Sequence, residues 1–432
     1  MIFRILLSGY ILLGFLPKYI VVDWKIAHLS YLSILNILTL LYFRFNHDLK
    51  TIKQNLKAEH FFYFSFFLWG FLTLFKSVNI YESLMIQTEI YTLLFSFILI
   101  YFIINEIGTK AIDVVFILFV ISLFLELLYI IPEYILNFKY HLTAGRNNEA
   151  FRGINGNINV TAFSILMKIP ILNYFILNYK SVLLKLFLFL LSISSIFVLI
   201  TVISSRASYL ALAVYTIFSV LALIYFRNNL NKKNFITAVG FIIIPLLFNI
   251  AVNFILYINI EDQSGKSLVN RIQSANIGDT STSQRLRYYY QAIDVIKENP
   301  FLGVGIGNWE IESIKQDAEN IENYTVPYHV HNDFLEIFAE TGFLGFIFYY
   351  AVFFLFLFRL LLSAIKNKAS VNNKNWWIII LISIILIFFI DSALNFPFAR
   401  TLIMIQLLVL ISLGLYLLKI NNFEFHFLTF HQ

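Results

Sequence analysis

Runs of about twenty apolar residues recur along the whole chain. A run of that length and character has one physical solution in a bilayer: a helix whose backbone hydrogen bonds close on themselves while its side chains meet hydrocarbon. Twelve such runs are legible, near residues 2–22, 26–44, 60–76, 83–105, 111–137, 159–179, 183–203, 207–226, 235–258, 342–365, 376–391 and 401–419. Only 13% of the 432 residues are charged and 59% are apolar, whereas a soluble domain carries about 25% charge. The expected fold class is therefore all-α, a polytopic transmembrane helical bundle of about 12 spans. Neighbouring spans pack on each other, so residues 1–432 are expected to form a single membrane domain.

The net charge of +6 would suit nucleic acid, but the basic residues lie in short tracts flanking the apolar runs, where they set orientation. No nucleic-acid partner is expected. The absence of Cys excludes disulfides, thiolate catalysis and Cys-based zinc sites. The first run has only Arg4 ahead of it and no small-x-small site behind it, which reads as a retained span. Arg44, Lys50, Lys53 and Lys57 follow the second run; Lys180 and Lys185 the sixth; Arg227, Lys232 and Lys233 the eighth; Lys366, Lys368 and Lys374 the tenth. These even-numbered exits are expected in the cytoplasm, with both termini. Lys139, Arg146, Arg152, Arg206 and Arg400 then fall outside, against the bias, and invite a functional explanation.

Residues 259–341, between the ninth and tenth runs, are the main polar stretch and are expected to form an extracytoplasmic loop. Its first part, 261–283, is rich in Ser, Asn, Asp and Gly and reads as irregular. A helical pattern begins at Ser283, with Leu286, Tyr289, Tyr290, Ile293 and Ile296 at helical spacing, and Asn299-Pro300 ends it. Gly303, Gly305 and Gly307 form a Gly-x-Gly-x-Gly turn. No strand precedes it, so it is a close-packed turn and not a dinucleotide fingerprint. A second short helix is expected from Asn332 or Asp333, with Asp333 and Glu336 at capping-box spacing. It would bury Phe334, Leu335 and Phe338 and stop at Gly342.

Within that loop His331 is the sharpest chemical candidate, since an imidazole beside a helix N-terminus can take a proton near neutral pH. A structural histidine is the competing reading, and His329 shares the ambiguity. Arg285 and Arg287 are about 200° apart around a helix, so they cannot both address one site. A guanidinium fork suits phosphate oxygens, which makes Arg285, Arg206 in the tight hairpin Ser-Ser-Arg-Ala-Ser, and Arg152 candidate diphosphate ligands; anchoring at headgroup level is the alternative for each. Glu89, Glu126 and Lys168 lie within apolar runs, where ionisable groups are expensive. They are either functional or paired inside the bundle.

Taken together these segments resemble the bacterial O-antigen ligase family and its O-antigen polymerase relatives. His331-Asn332, nine further residues, then Gly342-Phe-Leu-Gly345 reproduces the ligases' His-[Asn/Ser/Gln]-x9-Gly-x-x-Gly pattern. The segment from Ser283-Gln-Arg285 to Asn299-Pro300-Phe-Leu-Gly303-Val-Gly305-Ile-Gly307-Asn308 looks like the family's loop segment, with Tyr289 where an aromatic, often Trp, is usual. Ser205-Arg206-Ala207 looks like its Ser-Arg motif. Arg152-Gly153 with Gly156-Asn157-Ile158-Asn159 is similar to Arg-Gly-x-x-Gly-Asn-Pro-Asn, with Ile158 in place of proline. The resemblance covers about residues 145–420.

The resemblance implies an enzyme of the bacterial inner membrane, with its active site facing the periplasm. It would be an inverting, metal-independent glycosyltransferase without a cofactor, moving a glycan from an undecaprenyl diphosphate carrier to an acceptor hydroxyl. His331 would be the base, and Arg206, Arg285 and Arg152 would hold the diphosphate. Implied partners are a lipid-linked oligosaccharide donor, a lipid A core, glycan or other hydroxyl acceptor, and membrane lipids. Repeat-unit polymerisation and O-linked protein glycosylation use the same donor and stay open. From another class, transport of a lipid-linked sugar or small solute also stays open, although the chain lacks the internal repeat common in transporters.

Overall fold

The computed structural model describes residues 1–16, 24–46, 56–143, 149–258, 267–273, 280–318, 327–366, 368, 371 and 374–421. Within them the chain is helical, with no strand. In order, the α-helices are α1 (Ile2–Ile11), α2 (Trp24–Asn46), α3 (Ala58–Thr73), α4 (Ile80–Ile107), α5 (Ala111–Leu136) and α6 (Phe138–Thr143). Next come α7 (Ile158–Asn178), α8 (Val182–Phe197), α9 (Arg206–Tyr225), α10 (Lys232–Tyr257) and α11 (Leu268–Gln273). The last are α12 (Thr280–Glu298), α13 (Trp309–Asp317), α14 (Asp333–Lys366), α15 (Trp377–Leu394) and α16 (Thr401–Ile420).

The chain is a multi-pass helical membrane protein. Among the described residues ten apolar stretches are long enough to cross a bilayer; one of them, Ile80–Leu136, is divided by the 3-10 turn Gly108–Lys110 into α4 and α5. The first expected span is shorter than its apolar run: α1 ends at Ile11, a 3-10 turn at Leu13–Phe15 follows, and Leu16 is extended (φ −67°, ψ 150°). Pro17 comes next in sequence, and a residue before proline is pushed out of the helical region. Residues 17–23 lie outside the described residues, as do Lys50, Lys53 and Arg146.

Two compact units are distinguished, Met1–Ile112 with Ile277–Arg359 and Ser392–Gln432, and Asp113–Asn276 with Leu360–Asp391. In the first, α16 packs along α4, which also carries α1, α2 and α3. Two of its buried acidic residues are paired with cations. Glu89 takes Lys25 at 3.0 Å and the Thr401 hydroxyl at 2.6 Å, and Glu59 takes Arg359 at 3.0 Å. In the second unit α7 is buried on all sides from Val160 to Leu177 and touches α8, α9 and α10. Lys168 on α7 donates to Glu126 on α5 at 2.8 Å, and Ser164 donates to the same oxygen at 2.8 Å. For Glu89, Glu126 and Lys168, pairing inside the bundle is therefore what the structure contains, as the expense of a lone charge in hydrocarbon demands.

The polar region between α10 and α14 is more helical than its composition suggests. α11 interrupts the segment expected to be irregular, and α12 begins at Thr280, three residues ahead of Ser283. α12 packs a small core of Ala292, Val295, Val304, Trp309, Val330 and Ala339, with Tyr288, Tyr289, Ile296 and Leu335 at its edge. Tyr290, expected on the apolar stripe, is 67% exposed. The packed stripe keeps Tyr289 and Ile296 and adds Tyr288, Ala292 and Val295, on the i, i+3, i+4 rows of the helix.

Candidate functional site

Everything around His331 follows from how the chain enters α14. Asn332 is the N-terminal cap: its side-chain oxygen accepts from the Leu335 N–H at 3.2 Å, and its carbonyl accepts from Glu336 N–H at 3.0 Å. The expected reciprocal cap between Asp333 and Glu336 does not form. Glu336 reaches back further, taking the Val330 N–H at 2.8 Å with one oxygen and meeting His329 Nδ1 at 2.8 Å with the other. Asp333, the first helical residue, accepts from the Phe398 N–H at 2.8 Å and so ties the 395–400 turn to the start of α14. Phe334, Leu335 and Phe338 are half-buried, with Phe334 stacked on Tyr350 at 4.3 Å.

His331 sits in the left-handed region at φ 61°. A non-glycine residue held there costs on the order of 1–3 kcal/mol, and its surroundings must over-determine it. They do: the Asn332 cap begins immediately after it, and Tyr289 on α12 holds its carbonyl from a hydroxyl 3.1 Å away. The same hydroxyl lies 3.4 Å from the Ala393 carbonyl. One helical turn earlier, Arg285 donates through Nη1 to the Leu394 carbonyl at 3.0 Å. Arg285 and Tyr289 are four residues apart and share a face. Arg287 points elsewhere, as helical geometry requires, and forms a two-pronged pair with buried Asp317 on α13, at 2.9 and 3.0 Å.

Across from these groups, Phe396 acts as a hub. The His329 ring stacks on it at 4.1 Å, the His331 ring meets it edge-on at 5.1 Å, and the Arg400 guanidinium carbon lies 4.8 Å from its centroid. Burial pushes the His331 pKa down to about 3, and the electrostatic influence of Arg285, His329 and Arg400 adds to the effect. The imidazole is thus neutral across the physiological range. Its Nδ1 is buried without a hydrogen-bond partner among the described residues. A neutral ring between two guanidiniums can accept a proton once an anion offsets their charge.

The glycine motif has a backbone explanation. α14 breaks at Gly342 (φ 67°, ψ −174°), so the short helix expected to stop there and the tenth span are successive segments of one element. The turn after α12 docks main chain to main chain on that break: Val304 N–H donates to Ala339 O and Gly305 N–H to Glu340 O, each at 3.0 Å, and Phe343 N–H donates to Pro300 O at 2.9 Å. A Cβ on Gly342 would overlap the Phe301 carbonyl, and one on Gly303 the Glu340 carbonyl. On Gly305 it would overlap Ser77, on Gly307 it would press on Ile86, and on Gly345 it would meet Thr341 and Trp69. The Gly303, Gly305 and Gly307 run is the close-packed turn expected, and its partner is the break in α14, eleven residues after His331.

Arg206 and Arg152 belong to the other unit. There, a π-helical turn at Val198–Ile203 ends in Ser204 at φ 55°, and Ser205 leads into α9 with Arg206 as its first residue. Ser205 donates to Asn159 at 3.0 Å, and Thr161 donates to the Arg152 carbonyl at 2.6 Å, so the segments carrying the two arginines adjoin at the start of α7. Arg271 on α11 reaches the same hairpin, its Nε donating to the Ser204 carbonyl at 3.1 Å. Sequence reasoning did not single out Arg271, because it lies in the Ser- and Asn-rich stretch that reads as irregular. It set Arg400 apart only as a charge against the orientation bias, and Phe396 was not singled out. Among the described residues no three His, Asp or Glu side chains gather as a metal site.

A family model described as O-antigen ligase matches residues 187–350. That stretch runs from within α8 to within α14 and takes in Arg206, Arg285, His331, Asn332, Gly342 and Gly345, but neither Arg152 nor Arg400. No match is found among the curated proteins.

Proposed function

We propose, from the premise that this chain carries the O-antigen ligase domain over residues 187–350, that it transfers a glycan from an undecaprenyl diphosphate carrier to an acceptor hydroxyl. The reaction would take place on the periplasmic side of the bacterial inner membrane, in surface polysaccharide biosynthesis. One observation supports the chemistry above the others: a neutral, half-buried imidazole at His331 stands in the same unit as the Arg285 guanidinium, and Tyr289, one turn along from Arg285, holds the His331 backbone.

In this reading the acceptor oxygen attacks the anomeric carbon as His331 removes its proton. The bond from that carbon to the diphosphate oxygen breaks, the electron pair leaves with the undecaprenyl diphosphate, and the configuration inverts. Diphosphate is a good leaving group, so the protein mainly supplies a base and donors for the charge that develops on oxygen. Arg285 would be one such donor. Arg206 and Arg152 take the same role on the resemblance alone, and no metal or cofactor is assigned. Transfer of a finished polymer to a lipid A core or another terminal acceptor is favoured over polymerisation by the ligase spacing from His331 to Gly345.

The test is transfer by purified protein from a lipid-linked oligosaccharide, with and without lipid A core. Transfer that needs the core supports the ligase; elongation without it would reassign the chain to polymerisation. His331→Ala and Arg285→Lys should each lose about a hundredfold to a thousandfold in turnover. Arg287→Lys should retain turnover, because that side chain faces Asp317. Undiminished transfer by His331→Ala would remove the base from the scheme.

A further inference from the structure

Both carboxylate oxygens of Glu336 go to the two residues that precede His331. One accepts from the Val330 N–H at 2.8 Å and the other meets His329 Nδ1 at 2.8 Å, on a side chain only 8% exposed. A carboxylate only accepts, so the His329 proton sits on Nδ1 and the ring plane is fixed. An acidic residue in the first turn of a helix ordinarily serves the open N–H groups of that helix; here Asn332 caps the end, and Glu336 reaches past the cap. The consequence falls on His331, whose φ of 61° a non-glycine residue keeps only where its neighbours hold it. Ahead of it Glu336 pins residues 329 and 330; behind it Asn332 starts the helix and Tyr289 holds its carbonyl at 3.1 Å. A second route runs through the rings. The fixed His329 ring stacks on Phe396 at 4.1 Å, and Phe396 is the wall on which the His331 ring rests edge-on at 5.1 Å. His331 Nδ1 itself has no hydrogen bond among the described residues, so backbone and packing set the direction of that ring.

We propose that Glu336 is a positioning residue for the transfer: by gripping Val330 and His329 with one carboxylate, it holds the His331 imidazole where it takes the proton of the acceptor hydroxyl. The proposal rests on the base assigned above. A catalytic imidazole is commonly aimed by a hydrogen bond to its second ring nitrogen. For His331 the aiming passes instead through main chain and through Phe396. Glutamine at position 336 keeps an oxygen for the Val330 N–H and turns an N–H toward His329 Nδ1, which the ring meets by moving its proton to Nε2. Alanine keeps neither bond. The shape of the side chain, more than its charge, is what the position requires.

The experiment compares full-length wild type, Glu336→Ala and Glu336→Gln in neutral-detergent micelles, with thermal melting to monitor folding. Ring-nitrogen NMR of isotope-labelled histidines, assigned with His329→Ala and His331→Ala, reads the placement of the imidazoles; transfer from a lipid-linked oligosaccharide to lipid A core reads the rate. Glu336→Ala is expected to move the His331 signals as well as those of His329. It should lower kcat by about tenfold to a hundredfold with the donor KM unchanged, the loss that a small misplacement of a reacting group produces. Glu336→Gln should move the His329 signals through the change of tautomer, leave those of His331 in place and restore most of kcat. If Glu336→Ala does not fold, His329→Ala, which cuts the ring route alone, should show a smaller shift of the His331 signals and a smaller loss of kcat. His331 signals that stay in place in the folded variant overturn the proposal, as do an unchanged kcat and a loss confined to KM. A Glu336→Gln variant as slow as Glu336→Ala overturns it too, since the charge would then be what matters. Wild type that transfers nothing would sink the transferase reading, while the NMR comparison still decides whether Glu336 places His331.

Discussion

At the scale of the residue, His331 differs from an ordinary histidine in carrying no proton near neutral pH. Burial is the main reason, and Arg285, His329 and Arg400 add theirs. The sign of the resulting pH dependence can be worked out. A base must be unprotonated to act, and in the free protein protonation is pushed down from 6.5 to about 3. The acid limb of kcat/KM, which reports the free protein, should therefore lie well below the ordinary histidine value. Bound diphosphate neutralises the neighbouring guanidiniums and raises the imidazole's affinity for a proton, so the acid limb of kcat should sit at higher pH than that of kcat/KM. The donor is a diphosphate diester and contributes no titration of its own near neutrality. Paired rate profiles check this; coincident limbs, or a kcat/KM limb at 6.5 or above, would count against His331 as the base. Much at this scale was legible in the linear order. His331 and Arg285 stand out by type and spacing, and the 200° separation of Arg285 from Arg287 is simple helical geometry. Phe396 and Arg400 were not legible as site residues, because a shared aromatic platform exists only once a turn distant in sequence has been brought against the start of α14.

At the scale of the element, the glycines of α14 and of the turn after α12 act as one joint. The break in α14 and the turn after α12 are spliced backbone to backbone, and side chains are excluded from the splice on both strands of contact. Gly342→Ala should therefore be severely destabilising. It pays for a left-handed φ and also drives a methyl group into the Phe301 carbonyl, which is main chain and cannot swing aside. Gly156→Ala is the matched comparison, since Gly156 also has a positive φ, 69°, but nothing lies within 4 Å of the added carbon. It should cost only the conformational part, about 1–2 kcal/mol. Thermal melting in detergent, with transfer as a second readout, separates the two; equal losses would show that the close approach at Gly342 has no energetic weight. The turn character of the Gly303, Gly305 and Gly307 run is readable from composition. What the turn packs on is not, since Gly342 lies thirty-nine positions after Gly303.

At the scale of the whole molecule the solvent is hydrocarbon, and the rule that matters is that no charge can be left alone in it. Lys168 and Glu126 obey it in one unit, as Lys25 and Glu89 do in the other. Lys168→Met should cost about 3–5 kcal/mol by stranding the Glu126 carboxylate, whereas Lys168→Met combined with Glu126→Gln should recover most of the loss. A double-mutant cycle on melting temperature measures the difference. Transfer that stays at the wild-type rate in the folded double variant would mark the pair as structural, and loss of transfer there would mark it as functional. The sequence by itself determined the helical membrane architecture, because apolar runs of bilayer length have no other stable backbone solution. It also determined the caps, turns and chemical residue types, which depend on neighbours a few positions away. Only the tertiary structure decided which charges are paired, which arginines surround His331 and why the glycines must be glycines. Those outcomes depend on contacts between segments far apart in the chain, and local spacing carries no information about them.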